Sequence, residues 1–145
     1  RELNDQLALF FNASSPKSEE FTHSESLSLL MYLHTLKVQY RLTAASTRVE
    51  PNVVAESWTL RPPIPRKLDW LYESRPQSSI ISSREALLDE IDGIPETTTA
   101  PDTARGYILV PKEIDRLDLD QSNGVHDRRL YTRTANDWHE AVLIP

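Results

Sequence analysis

The chain has 145 residues, a formal net charge of −6 and 39% hydrophobic residues, a length and composition that suit one domain with a modest core. The acidic balance argues against generic nucleic-acid or anionic-membrane binding, and the longest apolar run, Leu29 to Leu33, falls far short of the ~18 residues of a membrane span. With no cysteine there are no disulfides, thiolate nucleophiles or zinc–thiolate sites, which fits a reducing compartment.

In chain order, Leu7 to Phe11 is an apolar run of strand length. Asn12 to Ser18 (NASSPKS) is turn chemistry, and a short polar helix is predicted around Glu19 to Ser26. Leu27 to Leu33 and Val38 to Ala45 read as a hairpin around His34–Lys37; Val38, Tyr40 and Leu42 alternate with Gln39, Arg41 and Thr43, as a half-buried strand requires. Pro51 opens a helix that Arg61-Pro62-Pro63 ends, and a second helix is predicted over Pro65 to Glu73. Ser82 and Glu85 have capping-box spacing for a helix through Ala86 to Ile91, stopped at Gly93. After the polar loop Glu96 to Arg105, Gly106 to Val110 is strand-like and Glu113 to Leu119 a weak strand. Asn123-Gly124 marks a turn, and Val125 to Thr134 and Trp138 to Ile144 are the last strands. About six strands and three short helices predict a mostly β (α+β) fold, a small barrel with a helical insertion.

Little here matches a self-sufficient catalytic motif. The four histidines (His23, His34, His126, His139) show no metal-ligand spacing, and no metal is expected. GxSxG, P-loop and GxGxxG patterns are absent, and three glycines cannot build a phosphate cradle. Four polar groups remain. Lys17 follows a Ser-rich turn, where backbone N–H groups and an ammonium suit a phosphate; a solvated loop lysine is the simpler reading. Gln39, on the polar strand face, has an amide that pairs with a heterocycle edge or simply faces water. Gln77 and Ser78 precede a capped helix and suit an anion, or are plain loop polarity. In His126-Asp127-Arg128-Arg129, strand alternation puts His126 and Arg128 on one face and Asp127 and Arg129 on the other. An anion clamp and a cross-strand ion-pair ladder stay equally open there.

The order of these groups resembles the pyridoxamine 5'-phosphate oxidase family of FMN-binding split barrels. Gly106-Tyr107 through Val110-Pro111, Ile114, His126-Asp127-Arg128, Tyr131-Thr132-Arg133, Trp138 and Leu143-Ile144-Pro145 are similar to its last two strands and terminus. Pro76-Gln77-Ser78-Ser79-Ile80 with Ser83-Arg84, His34-Thr35-Leu36 with Gln39, and Ser15-Pro16-Lys17 stand where the family has a Gln-Ser segment, a central hairpin and a Ser-Arg-Lys turn. The resemblance runs through nearly the whole chain.

It implies a split β-barrel of the FMN-binding type over residues 1–145, lacking its N-terminal strands, with residues expected before Arg1. It implies a cytoplasmic or nuclear homodimer with FMN at the subunit interface. Lys17 then faces the FMN phosphate, Gln39 and Gln77-Ser78 contact the flavin and its tail, Phe10 and Phe11 line the site, and Arg128 reaches the flavin from the partner subunit. Arg61 and His126 are the substrate-side matches, for a small phosphorylated or aromatic ligand. The departures are mostly on that side. Pro16 replaces the turn Arg, Asp118 a Trp beside the flavin, Gly124 the Arg of an Arg-Leu-His triplet and Ser57 a Tyr, and a substrate-phosphate Ser falls near Pro65. The expected function is therefore flavin-dependent oxidation or reduction of a small molecule, with weak or no pyridoxamine 5'-phosphate oxidase activity. The alternative is a non-catalytic relative that binds FMN or pyridoxal 5'-phosphate weakly.

Overall fold

The computed structural model describes residues 2–24 and 26–145. Strands β1 (Glu2–Leu3) and β2 (Gln6–Asn12) pair antiparallel, Leu3 opposite Gln6, around Asn4 and Asp5 at φ 49° and 59°. Asn and Asp tolerate the left-handed region that a two-residue hairpin turn demands. Helix α1 (Pro16–His23) follows. It starts earlier than predicted, because a proline that breaks a strand is also well placed at the first helical position, where no N–H is needed. The last predicted residues of that helix lie past its end, and Glu25 lies outside the described residues.

β3 (Leu27–Leu33) and β4 (Val38–Arg48) pair from Leu27 opposite Ala44 to Leu33 opposite Val38, joined by a 3-10 turn over His34–Leu36 with Lys37 at φ 52°. Helices α2 (Pro51–Thr59) and α3 (Pro63–Leu71) both carry proline in the first turn. Helix α4 (Arg84–Gly93) is capped by Ser83, whose side chain accepts the Ala86 N–H. The cap therefore sits one residue beyond the predicted Ser82, and the Ser82–Glu85 box does not form.

β5 (Ala104–Asp118) is one strand of 15 residues where two were predicted; it passes through Pro111 unbroken. β6 (Asp127–Arg133) and β7 (Trp138–Leu143) complete the sheet. β6 starts after His126, so His126 is an exposed loop residue and shares no strand face with Arg128, contrary to expectation. The described residues hold seven strands and four α-helices. The sheet runs β1-β2-β5-β4-β3, with β6 paired to β5 and β7 to β6.

The chain divides into two compact units that interleave in sequence. One holds the residues up to His23 with Thr47–Ile108; the other holds Ser24–Ser46 with Leu109–Pro145. In the first, Ala8, Trp58, Leu71 and Ile91 are buried. Phe11 stacks on Tyr107 at 5.4 Å between ring centroids, and Phe21 tilts against both. In the second, Val38, Leu42 and Ala44 are buried and Arg41 is exposed, the alternation read from the sequence.

Gly106 is fixed by close approach. A Cβ there meets Phe10 Cε1 and Val49 Cγ2, each at 2.7 Å. Gly106→Ala is therefore expected to destabilise the fold by about 1–3 kcal/mol, the usual range for overpacking. The check is the midpoint of urea unfolding with an unchanged slope; an unshifted midpoint contradicts it.

Candidate functional site

The Ser-rich turn after β2 is held from two sides. Asn12 is buried; its Nδ2 donates to Thr103 Oγ1 at 2.7 Å, and its Oδ1 accepts the Ser14 N–H at 2.8 Å. The Ala13 N–H reaches the Thr103 carbonyl at 2.7 Å. Ser14 Oγ in turn accepts the Gln77 N–H at 3.0 Å, across 63 residues of sequence. This bond joins the Ser14–Ser15 turn, with Lys17 in the first turn of α1, to the loop that carries Gln77 and Ser78.

That loop is itself strained. Ser79 N–H closes a turn on the Pro76 carbonyl at 3.1 Å, and Ser78 stands at φ 73°. A turn position with positive φ ordinarily takes Gly or Asn, and a side chain there adds roughly 1–2 kcal/mol. Ser15 is 2% exposed, and its Oγ has no hydrogen-bond partner among the described residues. A buried hydroxyl without a partner forfeits about 1–3 kcal/mol. A strained serine and an orphaned serine thus flank one hydrogen-bonded junction, at the N-terminus of a helix where anions are favoured. Lys17 is exposed beside it.

The first unit also carries a cavity of about 320 Å³ that is open on one side. Phe10 and Phe11 line it with Val54, Ser57, Trp58 and Arg61. Trp58 Nε1 donates to Asp69 Oδ2 at 2.9 Å. Arg61 Nε lies 3.1 Å from the same oxygen without hydrogen-bond geometry, so this pair is held by charge. Burial pushes the Asp69 carboxyl above its ordinary value, and the Arg61 charge and the Trp58 hydrogen bond pull it partly back. Nothing in the sequence marked Asp69 or Trp58 as site residues, because their meeting depends on how α2 and α3 pack.

In the second unit Arg128 faces Asp115, Nε to Oδ1 at 3.1 Å and Nη2 to Oδ2 at 2.8 Å. The guanidinium thus meets the carboxylate in two places, and its hydrogen bond holds Asp115 below the ordinary carboxylate value. The register sets Asp115 opposite Leu130 and Leu117 opposite Arg128, so all four share a sheet face. Arg116, on the other face of β5 from Asp115, donates to the Tyr40 hydroxyl, so Gln39 and Arg41, which alternate with Tyr40, lie on the Asp115 side. Arg129 is on the other face, with Asp127 at 2.9 Å and Glu140 at 2.7 Å. Gln39 and Arg128 therefore come to one face, and of the two readings of the His-Asp-Arg-Arg segment the cross-strand ladder is the one formed, with Arg128 part of it.

Two of the departing residues are held locally. Asp118 is tied to Arg116 at 2.6 Å. Gly124 stands at φ 75° in a turn closed on the Gln121 carbonyl, a conformation that arginine rarely adopts. Among the described residues no group of His, Asp and Glu suits a metal ion, and no helix is long and apolar enough to cross a membrane.

No family model matches the chain. A pyridoxine/pyridoxamine 5'-phosphate oxidase of Shewanella halifaxensis is 25% identical over 98% of the chain and 68% of its own length. One of Hydrogenovibrio crunogenus is 24% identical over 98% of the chain and 67% of its length. Among solved structures, PhzG of Burkholderia lata, in complex with tetrahydrophenazine-1-carboxylic acid, superposes with TM-score 0.82 at 23% identity, over all of this chain and 72% of that one. A pyridoxamine 5'-phosphate oxidase-related, FMN-binding protein of Nostoc punctiforme gives TM-score 0.78 at 18% identity, over all of this chain and 77% of that one. The seven-stranded antiparallel sheet with four helices is the split-barrel fold of these neighbours.

Proposed function

We propose that the chain is a divergent member of the pyridoxamine 5'-phosphate oxidase-like split-barrel family, as its likeness to those oxidases supports, and that it binds FMN and serves as a flavin-dependent oxidoreductase of a small molecule. The observation that carries this reading is the junction of the Ser14–Ser15 turn with the Gln77–Ser78 loop. Its orphaned Ser15 hydroxyl, the start of α1 and the Lys17 ammonium suit a phosphate. Gln77 and Ser78 serve the flavin tail, and Gln39 and Arg128 its ring, Arg128 from the partner subunit. When bound, the flavin supplies the hydride acceptor, and the chain's own residues bind and orient it.

The substrate side is expected to be weak toward pyridoxamine 5'-phosphate. Gly124 and Ser57 stand where the resemblance implies an Arg and a Tyr, a substrate-phosphate Ser falls near Pro65, and Arg61 is committed to Asp69. A missing charge-assisted hydrogen bond costs roughly 1.5–3 kcal/mol, and two missing bonds reach on the order of 10³-fold.

A homodimer belongs to the same proposal. Leu30 and Tyr32 are 61% and 50% exposed. They lie opposite Arg41 and Gln39, on the face that carries the proposed flavin residues. An apolar pair beside a cofactor face suits burial against a second copy.

The test is the visible absorption of purified protein titrated with FMN, together with sedimentation equilibrium. The expected results are a bound flavin spectrum and twice the chain mass of 16.6 kDa. A protein that leaves added FMN free overturns the flavin reading, and a clean monomer overturns the dimer.

A further inference from the structure

A run of hydrogen bonds joins the Gln77 loop to Glu73, and every bond in it points the same way. The Gln77 N–H donates to Ser14 Oγ at 3.0 Å. The Ser14 N–H donates to Asn12 Oδ1 at 2.8 Å. Asn12 Nδ2 donates to Thr103 Oγ1 at 2.7 Å, across 91 residues of sequence. The Thr103 hydroxyl donates to Glu73 Oε1, which the Thr103 N–H also reaches at 3.4 Å. All of these residues belong to the first compact unit.

Chemistry fixes the sense of the run. A carboxylate only accepts, so the single hydroxyl proton of Thr103 goes to Glu73. The Thr103 oxygen then has only lone pairs for Asn12 and takes the NH₂ side of its amide. The carbonyl side is thereby turned to Ser14. Asn12 is buried, so neither end of its amide has water to fall back on. Bonds aligned in one sense polarise and strengthen one another.

Ser14 is thus held at both its N–H and its Oγ. Because Oγ accepts from Gln77, its own proton is left over, and among the described residues no acceptor takes it. A hydroxyl that already accepts a hydrogen bond is a better donor. Beside it the Ser15 Oγ is buried and unpartnered, and Lys17 follows. We propose that the Ser14 hydroxyl is a further donor to the ligand's phosphate, and that Thr103, acting through Asn12, is the residue that positions it. The inference rests on the reading of this junction as the phosphate site.

The experiment compares FMN with riboflavin, which share a ring system and differ by the phosphate, in fluorescence-quenching titrations of the full chain. Wild type is expected to prefer FMN. Ser14→Ala is expected to reduce that preference about tenfold, the loss of one hydrogen bond to a charged group. Thr103→Val keeps the side-chain shape and removes the hydroxyl. It is expected to reduce the preference by about three- to tenfold while riboflavin affinity stays within about twofold of wild type. Thr103→Ser keeps the hydroxyl and is expected to restore the wild-type ratio. Equal weakening of both flavins by Thr103→Val makes its role structural and overturns the inference, as does an unchanged ratio in Ser14→Ala. Inorganic phosphate, followed through the amide NMR shifts of Ser14, Lys17 and Gln77, separates this inference from the flavin reading. Shifts in wild type that shrink in Ser14→Ala and Thr103→Val, with FMN left free, support the inference and overturn the flavin reading alone. Shifts that persist undiminished in both variants overturn the inference. No shifts and no FMN binding overturn both.

Discussion

Arg128→Ala is expected to weaken FMN binding by at least about tenfold, while Arg129→Ala leaves it within about twofold, the two reading opposite faces of one strand. Arg128 pairs with Asp115 on the face it shares with Gln39, whereas Arg129 pairs with Asp127 and Glu140 on the other. The effect on Arg128 has two parts. The planar fork that fits a phosphate or carbonyl edge is lost, worth roughly 1.5–3 kcal/mol for a charge-assisted bond. Asp115 also loses its hydrogen-bonded partner, which leaves its negative charge less compensated on the face proposed for the flavin. Asp115→Asn separates the two: it keeps the fork and removes the charge, so FMN binding is expected to hold or tighten. The pair itself has a known pH sense. Arg128 depresses the folded value of Asp115, so its stabilisation is present above the ordinary carboxylate value and fades as pH falls through the depressed one. At neutral pH the pair is intact. Fluorescence-quenching titration of FMN decides the matter. Weakening by Arg129→Ala but not by Arg128→Ala overturns the facing argument.

Much of the fold was legible because its signals are local. The alternation from Val38 to Ala44 names the buried face of β4 directly. Asn123-Gly124 marks the right loop but not a two-residue hairpin: pairing stops at Asp118 opposite Asp127, and the turn closes from the Gly124 N–H onto the Gln121 carbonyl with Gly124 at positive φ. The misses are also physical. Pro16 reads as a breaker from the strand side and as a helix starter from the other, and only the turn held by Asn12 settles which. Either Ser82 or Ser83 suits a cap by composition; the Ala86 N–H chooses Ser83. The strand pattern stopped at Val110 and resumed weakly at Glu113, yet β5 runs through Pro111 unbroken.

The site was legible only where residues matched a resemblance, and its energetics were not. Lys17, Gln77 and Ser78 could be named from their order, but the bond from Gln77 to Ser14 spans 63 residues and has no sequence signature. The left-handed Ser78 is hidden for the same reason: serine does not advertise positive φ as glycine does. Arg128 was balanced between clamp and ladder because a strand pattern gives the face of a residue and not its partner. Arg61 matched the resemblance as a phosphate ligand, and nothing in its surrounding sequence reveals that Asp69, a helix away, takes its charge.

Trp58 is expected to carry the largest single stability effect in the molecule. It is 3% exposed, it walls the cavity, Arg66 lies over its ring at 5.6 Å, and its Nε1 holds Asp69. Trp58→Ala removes the ring and the donor together, and large-to-small changes of this kind in a core destabilise by about 3–5 kcal/mol. Trp58→Phe keeps most of the ring and removes the donor alone. It leaves a carboxylate that is largely buried, its side chain 13% exposed, with only the Arg61 charge beside it; the expected loss is about 1–3 kcal/mol at neutral pH. The pH dependence identifies the source. Burial raises the folded value of Asp69 above the unfolded one, so the charged carboxylate is a liability that grows as pH rises through that window, and the Trp58 bond offsets part of it. Without the donor the liability is larger at neutral pH and vanishes once Asp69 is protonated. The gap between wild type and Trp58→Phe should therefore close as pH falls through the raised value, before ordinary carboxylates titrate. Urea unfolding across that range is the measurement. A gap that stays constant with pH assigns the loss to ring shape and removes Asp69 from the account.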